Sequence, residues 1–260
     1  MYRGAAVALG GRPLTVRTLD VGADKQLPYL PMEPEQNPSL GVRGIRLALA
    51  RPELLATQLR AALRVAADHP LRLLLPMVTT VDELLRVRQI LGEARAALTS
   101  RGVPAPEHLE LGIMVEVPAA CLLAEAFVPY VDFFSLGTND LAQYAMAADR
   151  GNSGVGSMAD ALHPAVLRLV DHAARAAAAA GRKVGVCGEL GGDPLAVPLL
   201  LGLGATELSM TPARIAAAKQ AVRGTHLGAA RRLAKTALAA ASAADVRRLC
   251  ASHAPRSTSG

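Results

Sequence analysis

A chain of 260 residues, 51% of them hydrophobic, is long enough for a large core, and a single α/β barrel commonly takes about 250 residues. No apolar run approaches the roughly 18 residues a membrane helix needs, the longest lying near residues 195–205, so no membrane partner is expected. Lys and Arg exceed Asp and Glu by 28 to 22, yet with no Trp, seven Phe and Tyr (three and four) and no dense basic block, nucleic acid is excluded and the excess suits an anionic small molecule.

The opening MYRGAAVALGG carries one Arg and a weakly apolar stretch without a convincing cleavage site; residues 1–12 read as a stub with no export signal. After it, short Leu-rich or β-branched runs alternate with longer stretches whose apolar residues recur every three or four positions, the order of βα units around a parallel sheet. Strand-like runs fall at 14–20, 71–78, 109–117, 131–137, 183–189 and 205–210; a seventh is expected around 41–45, and an eighth is not placed. Helices are predicted over 52–67, 81–99, 118–127, 164–180, 194–201 and 212–222, five of them with Pro at a first helical position. Thr80 and the Asp82-Glu83 pair mark the start of the remaining one. The Ala-rich stretch 173–180 continues its neighbours' helical pattern. One last amphipathic helix is expected over 227–249, and 251–260 as a frayed tail. The predicted fold is α/β, a (β/α)8 TIM barrel over 13–250 with an additional C-terminal helix.

In such a barrel the C-terminal ends of the strands carry the chemistry. Those ends hold Arg17, Asp20, Glu116, Asn139, Asp140, Cys187 and Glu189, with Arg72 inside its strand. Glu116 and Asp140 close separate strands, and two carboxylates plus substrate phosphate and water suit Mg2+; the alternative is that each pairs with an Arg on the rim. Arg17, Arg43 and Arg150 lie in Gly- or turn-punctuated segments, where guanidinium forks can grip phosphate and carboxylate oxygens. Most other Arg, such as Arg60, Arg64, Arg86 and Arg231, read as solvated helix faces.

Three cysteines without a CxxC pair fit neither a disulfide framework nor a zinc site and point to reduced thiols in a cytoplasm. Cys121 and Cys250 read as small buried hydrophobes, whereas Cys187 ends a strand before the Gly-rich GELGGD, where a thiol can exchange a proton with a substrate carbon. The six histidines are scattered; His163 and His172 suit capping or surface roles, and none stands where a phosphoryl acceptor would.

Taken in order, RTLDVGADK, QNPSLGVRGIR, GIMVEVPAA, DFFSLGTNDLAQY, DRGN and VCGELGGD resemble enzyme I of the bacterial phosphoenolpyruvate:sugar phosphotransferase system, over residues 13 to 249. In looser form the same motifs resemble pyruvate phosphate dikinase and phosphoenolpyruvate synthase. The resemblance implies a homodimeric, cytoplasmic (β/α)8 barrel that binds phosphoenolpyruvate and Mg2+. It implies that Arg17, Arg43, Arg150, Asn139 and Asp140, and also Arg72, bind phosphoenolpyruvate, that Glu116 and Asp140 ligate the metal, and that Cys187 protonates the enolate as pyruvate forms. The phosphoryl acceptor it implies is a His on a separate or missing swivelling domain, which then serves a histidine-containing phosphocarrier protein in sugar uptake. One departure is Ala23, where the family tends to have Gly. The alternatives are a non-catalytic phosphoenolpyruvate- or pyruvate-sensing dimerisation module, a synthase- or dikinase-like domain, and a lyase or aldolase on a related barrel.

Overall fold

Strand and helix alternate along the chain as the apolar patterning requires. The computed structural model describes residues 1–24 and 27–253. They form two compact units, one of Met1–Met114 with Pro129–Asp132, the other of Val115–Val128 with the chain from Phe133 onward.

The first unit runs α1 (Tyr2–Ala8), β1 (Leu14–Arg17), α2 (Ile45–Ala50), α3 (Pro52–Ala66), β2 (Leu71–Leu75), α4 (Val81–Thr99) and β3 (Glu110–Val115). β1 pairs in parallel with β2, and β2 with β3. Parallel neighbours need a crossover, which α3 and α4 provide. α3 begins with Pro52, where the missing N–H costs nothing, and buries Leu55, Leu59, Ala62 and Leu63 along one stripe. α4 opens on a reciprocal cap: Glu83 N donates to Thr80 Oγ1 at 3.3 Å and Thr80 N donates to the Glu83 carboxylate at 2.9 Å. Every residue of β2 is buried, as in a strand covered on both faces.

The second unit contains α5 (Pro118–Leu122), α6 (Ala124–Phe127), β4 (Phe133–Gly137), α7 (Thr138–Met146), α8 (Pro164–Ala179), β5 (Lys183–Cys187), α9 (Val197–Gly202), β6 (Glu207–Leu208), α10 (Ile215–Arg223), α11 (Leu227–Leu238) and α12 (Ala243–His253). β4, β5 and β6 form consecutive parallel pairs. The Ala-rich stretch is the second half of α8, where Ala173, Ala174, Ala176 and Ala177 are buried. His163 caps α8, its Nδ1 accepting from Ala165 N at 3.2 Å.

Six strands among the described residues coincide with the six expected runs. The seventh, at 41–45, is not a strand: Gly44 takes φ +54° and caps α2, and the Arg43 carbonyl already accepts from Arg46 N. The helix expected over 118–127 breaks at Leu123, which leaves helical geometry. The 194–201 helix starts only at Val197, because Asp193 turns the chain first, its carbonyl accepting from Ala196 N and Val197 N. The first residues of 212–222 form a 3-10 turn. In place of one helix over 227–249 there are two, α11 and α12, parted at Ser242, whose Oγ accepts from Asp245 N and restarts the helix. The 1–12 stub contains α1, and helix continues through 251–253 of the expected tail; the rest of that tail lies outside the described residues. No described helix is long and apolar enough to cross a membrane.

α9 and α11 lie against each other at Gly202, where an added Cβ would overlap the Ala230 carbonyl. A backbone group cannot swing aside, so the two helices would have to part. Gly202→Ala is expected to cost about 3 kcal/mol, read as a lowered urea midpoint with an unchanged slope.

Candidate active site

In the first unit the chain leaves β1 at Arg17 and runs through Thr18, which is buried, to Asp20. Asp20 has a side chain only 3% exposed, and a carboxylate so placed needs cationic partners. Arg43 supplies a fork, Nε donating at 3.1 Å and Nη2 at 2.8 Å, and Arg17 Nη1 donates at 3.1 Å to the same carboxylate. Two Arg singled out in the sequence are thus held by one acid. Gln58 of α3 fixes the strand end from behind, donating to the Arg17 carbonyl at 3.2 Å and accepting from Leu19 N at 3.0 Å. Gly44 follows Arg43 directly, and a Cβ there would stand 2.8 Å from the Cβ of Met77, itself a buried non-glycine at φ +60°. Backbone strain of this kind gathers at functional sites. Arg72 is buried within β2 and its Nε lies 2.8 Å from Glu110 of β3. Ala23 takes no positive φ, so the missing glycine asks nothing unusual of that turn.

Removing the Asp20 charge would leave the buried Arg43 guanidinium facing an amide. Asp20→Asn is expected to destabilise the protein by about 3 kcal/mol, measured by chemical denaturation, and to loosen both arginines at once.

In the second unit β4 passes straight into α7, so the helix N-terminus, a natural anion site, sits at the strand's end. Asn139 and Asp140 occupy its first turn, with Asp140 buried. Arg150 is turned back toward them: its N donates to Gln143 Oε1 at 3.1 Å and its Nη2 lies 3.5 Å from Asp140 Oδ1. The end of β5 is knitted to the same turn. Thr138 Oγ1 donates to the Cys187 carbonyl at 2.9 Å, and Glu189 N donates to Asn139 Oδ1 at 3.2 Å. Gly188 makes this possible, since at φ +93° a side chain would be strained and its Cβ would come within 2.8 Å of both Thr138 Oγ1 and Asn139 Oδ1. Glu116, wholly buried, follows β3; α5 begins two residues later and packs on α7, the helix that carries Asp140. A cavity of about 880 Å³ is lined by Asn139, Arg150 and Glu189 together with Asp160, Arg214 and Arg247.

The Cys187 thiol is half-buried and held on two sides: Ser135 Oγ donates to Sγ at 3.3 Å, and Sγ lies 3.4 Å from the Leu136 carbonyl it can donate to. The hydroxyl donor and the carbonyl acceptor together fix the direction of the thiol. Ser135, Gln58 and Thr138 were not singled out from the sequence. Ser135 carries a signal all the same, being a lone hydroxyl in the otherwise apolar run FFSLG.

All three cysteines are free. Burial pushes the Cys121 thiol up to about 12 and the Cys250 thiol up to about 11, Asp193 adding to the latter. Both therefore stay protonated and unreactive at pH 8, well below those values. Iodoacetamide at pH 8 is expected to modify Cys187 alone in the folded protein, and all three in urea, with the sites read by peptide mass spectrometry.

Among the described residues no three or more His, Cys, Asp or Glu side chains gather to form an all-protein metal cage. Mg2+ does not require one, because it keeps waters and takes one or two carboxylates beside substrate phosphate. Asp140 fits that donor set: its Oδ1 is buried, makes no hydrogen bond, and has Arg150 only at 3.5 Å. Glu116 would be the second acid, and bound there the ion would supply positive charge against phosphoryl and enolate oxygens.

Forked guanidiniums at one strand end, and an acid, a helix N-terminus and a restrained thiol at others, are the equipment of enzymes that handle small phosphorylated acids. The sequence matches the family described as PEP-utilising enzyme, PEP-binding domain, over residues 1–227, and the chain belongs to that family. It is 50% identical over 249 residues to the multiphosphoryl transfer protein of Xanthomonas campestris pv. campestris, covering 95% of this chain and 29% of that protein. It is 44% identical over 245 residues to the phosphoenolpyruvate-protein phosphotransferase of Geobacillus stearothermophilus, covering 94% and 42%. The multiphosphoryl transfer protein of Rhodobacter capsulatus is 46% identical over 249 residues, covering 96% and 29%. The chain thus spans less than half the length of these curated relatives.

Proposed function

We propose that this chain is the phosphoenolpyruvate-binding part of a phosphoenolpyruvate-protein phosphotransferase, folded as a (β/α)8 barrel. It takes phosphoenolpyruvate with Mg2+, and the phosphoryl group passes to a histidine on a separate swivelling domain, releasing pyruvate. The observation that carries this reading is the restrained Cys187 thiol, on a strand end whose backbone at Cys187 and Glu189 is tied by Thr138 and Asn139 to the helix N-terminus where Asp140 and Arg150 meet, in a chain whose family binds phosphoenolpyruvate.

Arg17, Arg43, Arg72, Asn139, Asp140 and Arg150 bind and orient the substrate in this reading, and Glu116 and Asp140 hold the ion. As the bridging C–O–P linkage breaks at phosphorus, the phosphoryl group forms a bond to the acceptor imidazole nitrogen and the electron pair stays on the enolate. Arg side chains placed in advance stabilise both developing charges without reorganising. The Cys187 thiol then gives its proton to the enolate carbon, completing the pyruvate methyl group, and the thiolate left behind keeps the Ser135 hydrogen bond until solvent reprotonates it. The protein acts as a cytoplasmic homodimer and its histidine donor serves a phosphocarrier protein in sugar uptake.

Calorimetry on the purified chain is expected to show phosphoenolpyruvate binding that requires Mg2+ and weakens at least about a hundredfold in Arg43→Ala, the loss of a charged, bidentate contact. Methyl protons of pyruvate are expected to exchange with deuterated solvent, and not in Cys187→Ala. Binding without exchange in the unaltered chain would reduce it to a sensing module, and no binding at all would remove the proposal.

A further inference from the structure

Helix α12 takes no part in the chemistry above, yet one of its side chains reaches the cavity that Arg150 and Asn139 line. The helix is anchored on the second unit by Val246 and Cys250, one turn apart and both buried, and its start is sealed by Ser242 and Asp245. Asp245 is held below the usual carboxylate range by the Ser242 hydroxyl, with burial opposing and Arg248 assisting. Arg247 stands beside the buried Val246 and so projects from a fixed base.

Its Nη1 donates to Asp160 Oδ2 at 2.5 Å. The other oxygen of Asp160 accepts from Leu162 N at 2.9 Å, and its carbonyl accepts from His163 N at 2.9 Å, so this acid shapes the end of the loop that leads from α7 to α8. That loop also carries Arg150. Between the two, Gly156 lies so close to the Arg150 carbonyl that a Cβ would stand 2.8 Å from it, and Asp160 N donates to the Met158 carbonyl at 2.8 Å. The segment between Asp160 and Arg150 is thus closely packed. Asp193, past the glycines that follow Cys187, lines the same cavity as Arg247 and organises its own turn in the same way, Oδ1 accepting from Leu195 N at 3.0 Å.

We infer that Arg247 is a positioning residue: from α12 it holds the Arg150 loop through Asp160, and so sets how Arg150 meets its ligand. The inference rests on the reading of Arg150 as a phosphoenolpyruvate ligand, and it names a residue outside that ligand set.

Two readouts test it on the intact chain: amide hydrogen exchange, and calorimetric binding of phosphoenolpyruvate with Mg2+. In Arg247→Met, amides of 149–162 should exchange faster while those of β5 keep their protection, and affinity should fall about three- to fivefold, the scale of one partly exposed ion pair. Arg247→Lys should restore most of both. Asp160→Asn keeps an oxygen for Leu162 N and loses only the charge, so it should reproduce the Arg247→Met result even if that variant proves unstable. Unchanged exchange and affinity in both variants overturn the inference, as does faster exchange spread over the whole unit, which would mark a merely structural contact. If the unaltered chain binds no phosphoenolpyruvate, the functional reading falls, and the exchange pattern alone still decides whether Arg247 holds the loop.

Discussion

A carboxylate withdrawn from water must be answered by a cation, and this requirement organises the strand ends. Asp20 is answered by Arg43 and Arg17 together, Asp140 by Arg150, and Asp160 by Arg247. The first pairing is closed, with two hydrogen bonds in the fork. The second is not: Asp140 Oδ1 stays buried at ion-pair distance from Arg150 with no hydrogen bond of its own. An acid held in that condition by the fold retains capacity for a stronger partner, and a divalent ion is the partner its chemistry suits.

The same logic explains why the thiols differ. Cys121 and Cys250 are buried, and burial, with Asp193 adding at Cys250, drives both thiols upward toward protonation. Cys187 stands at a strand end with a hydroxyl donor and a carbonyl acceptor within reach, which fix its direction. Three chemically identical side chains thereby acquire separate roles from position alone.

Much of this was legible in the sequence, and for identifiable reasons. The strands at 71–78 and 131–137 are short apolar runs bounded by turn residues, and the helix over 81–99 declares both its cap and its stripe, so local chemistry and tertiary packing agree there. The segment 41–45 misled because Val42 and Ile45 suit a strand, whereas Gly44 takes φ +54° and turns the chain into α2. The break that separates α11 from α12 was hidden because Ala favours helix wherever it stands, leaving Ser242 as the only local sign. The polar residues at the ends of β1, β4 and β5 were readable in the sequence because they close apolar runs, and the family motifs pointed to the same positions. The supporting residues Ser135, Gln58 and Arg247 were not, since an isolated hydroxyl, amide or surface guanidinium has no pattern until its neighbours are placed.

The central proposal is that Glu116 and Asp140 hold a divalent ion against the phosphate of phosphoenolpyruvate. Phosphorus resonance of phosphoenolpyruvate, recorded with the chain and Mn2+ in place of Mg2+, tests it most directly, because paramagnetic broadening falls steeply with distance. The account predicts strong broadening with the unaltered chain, beyond that given by Mn2+ free in solution, and its disappearance in Glu116→Gln and in Asp140→Asn. A resonance no broader with the chain than without it, or equally broadened after both acids are neutralised, would contradict it.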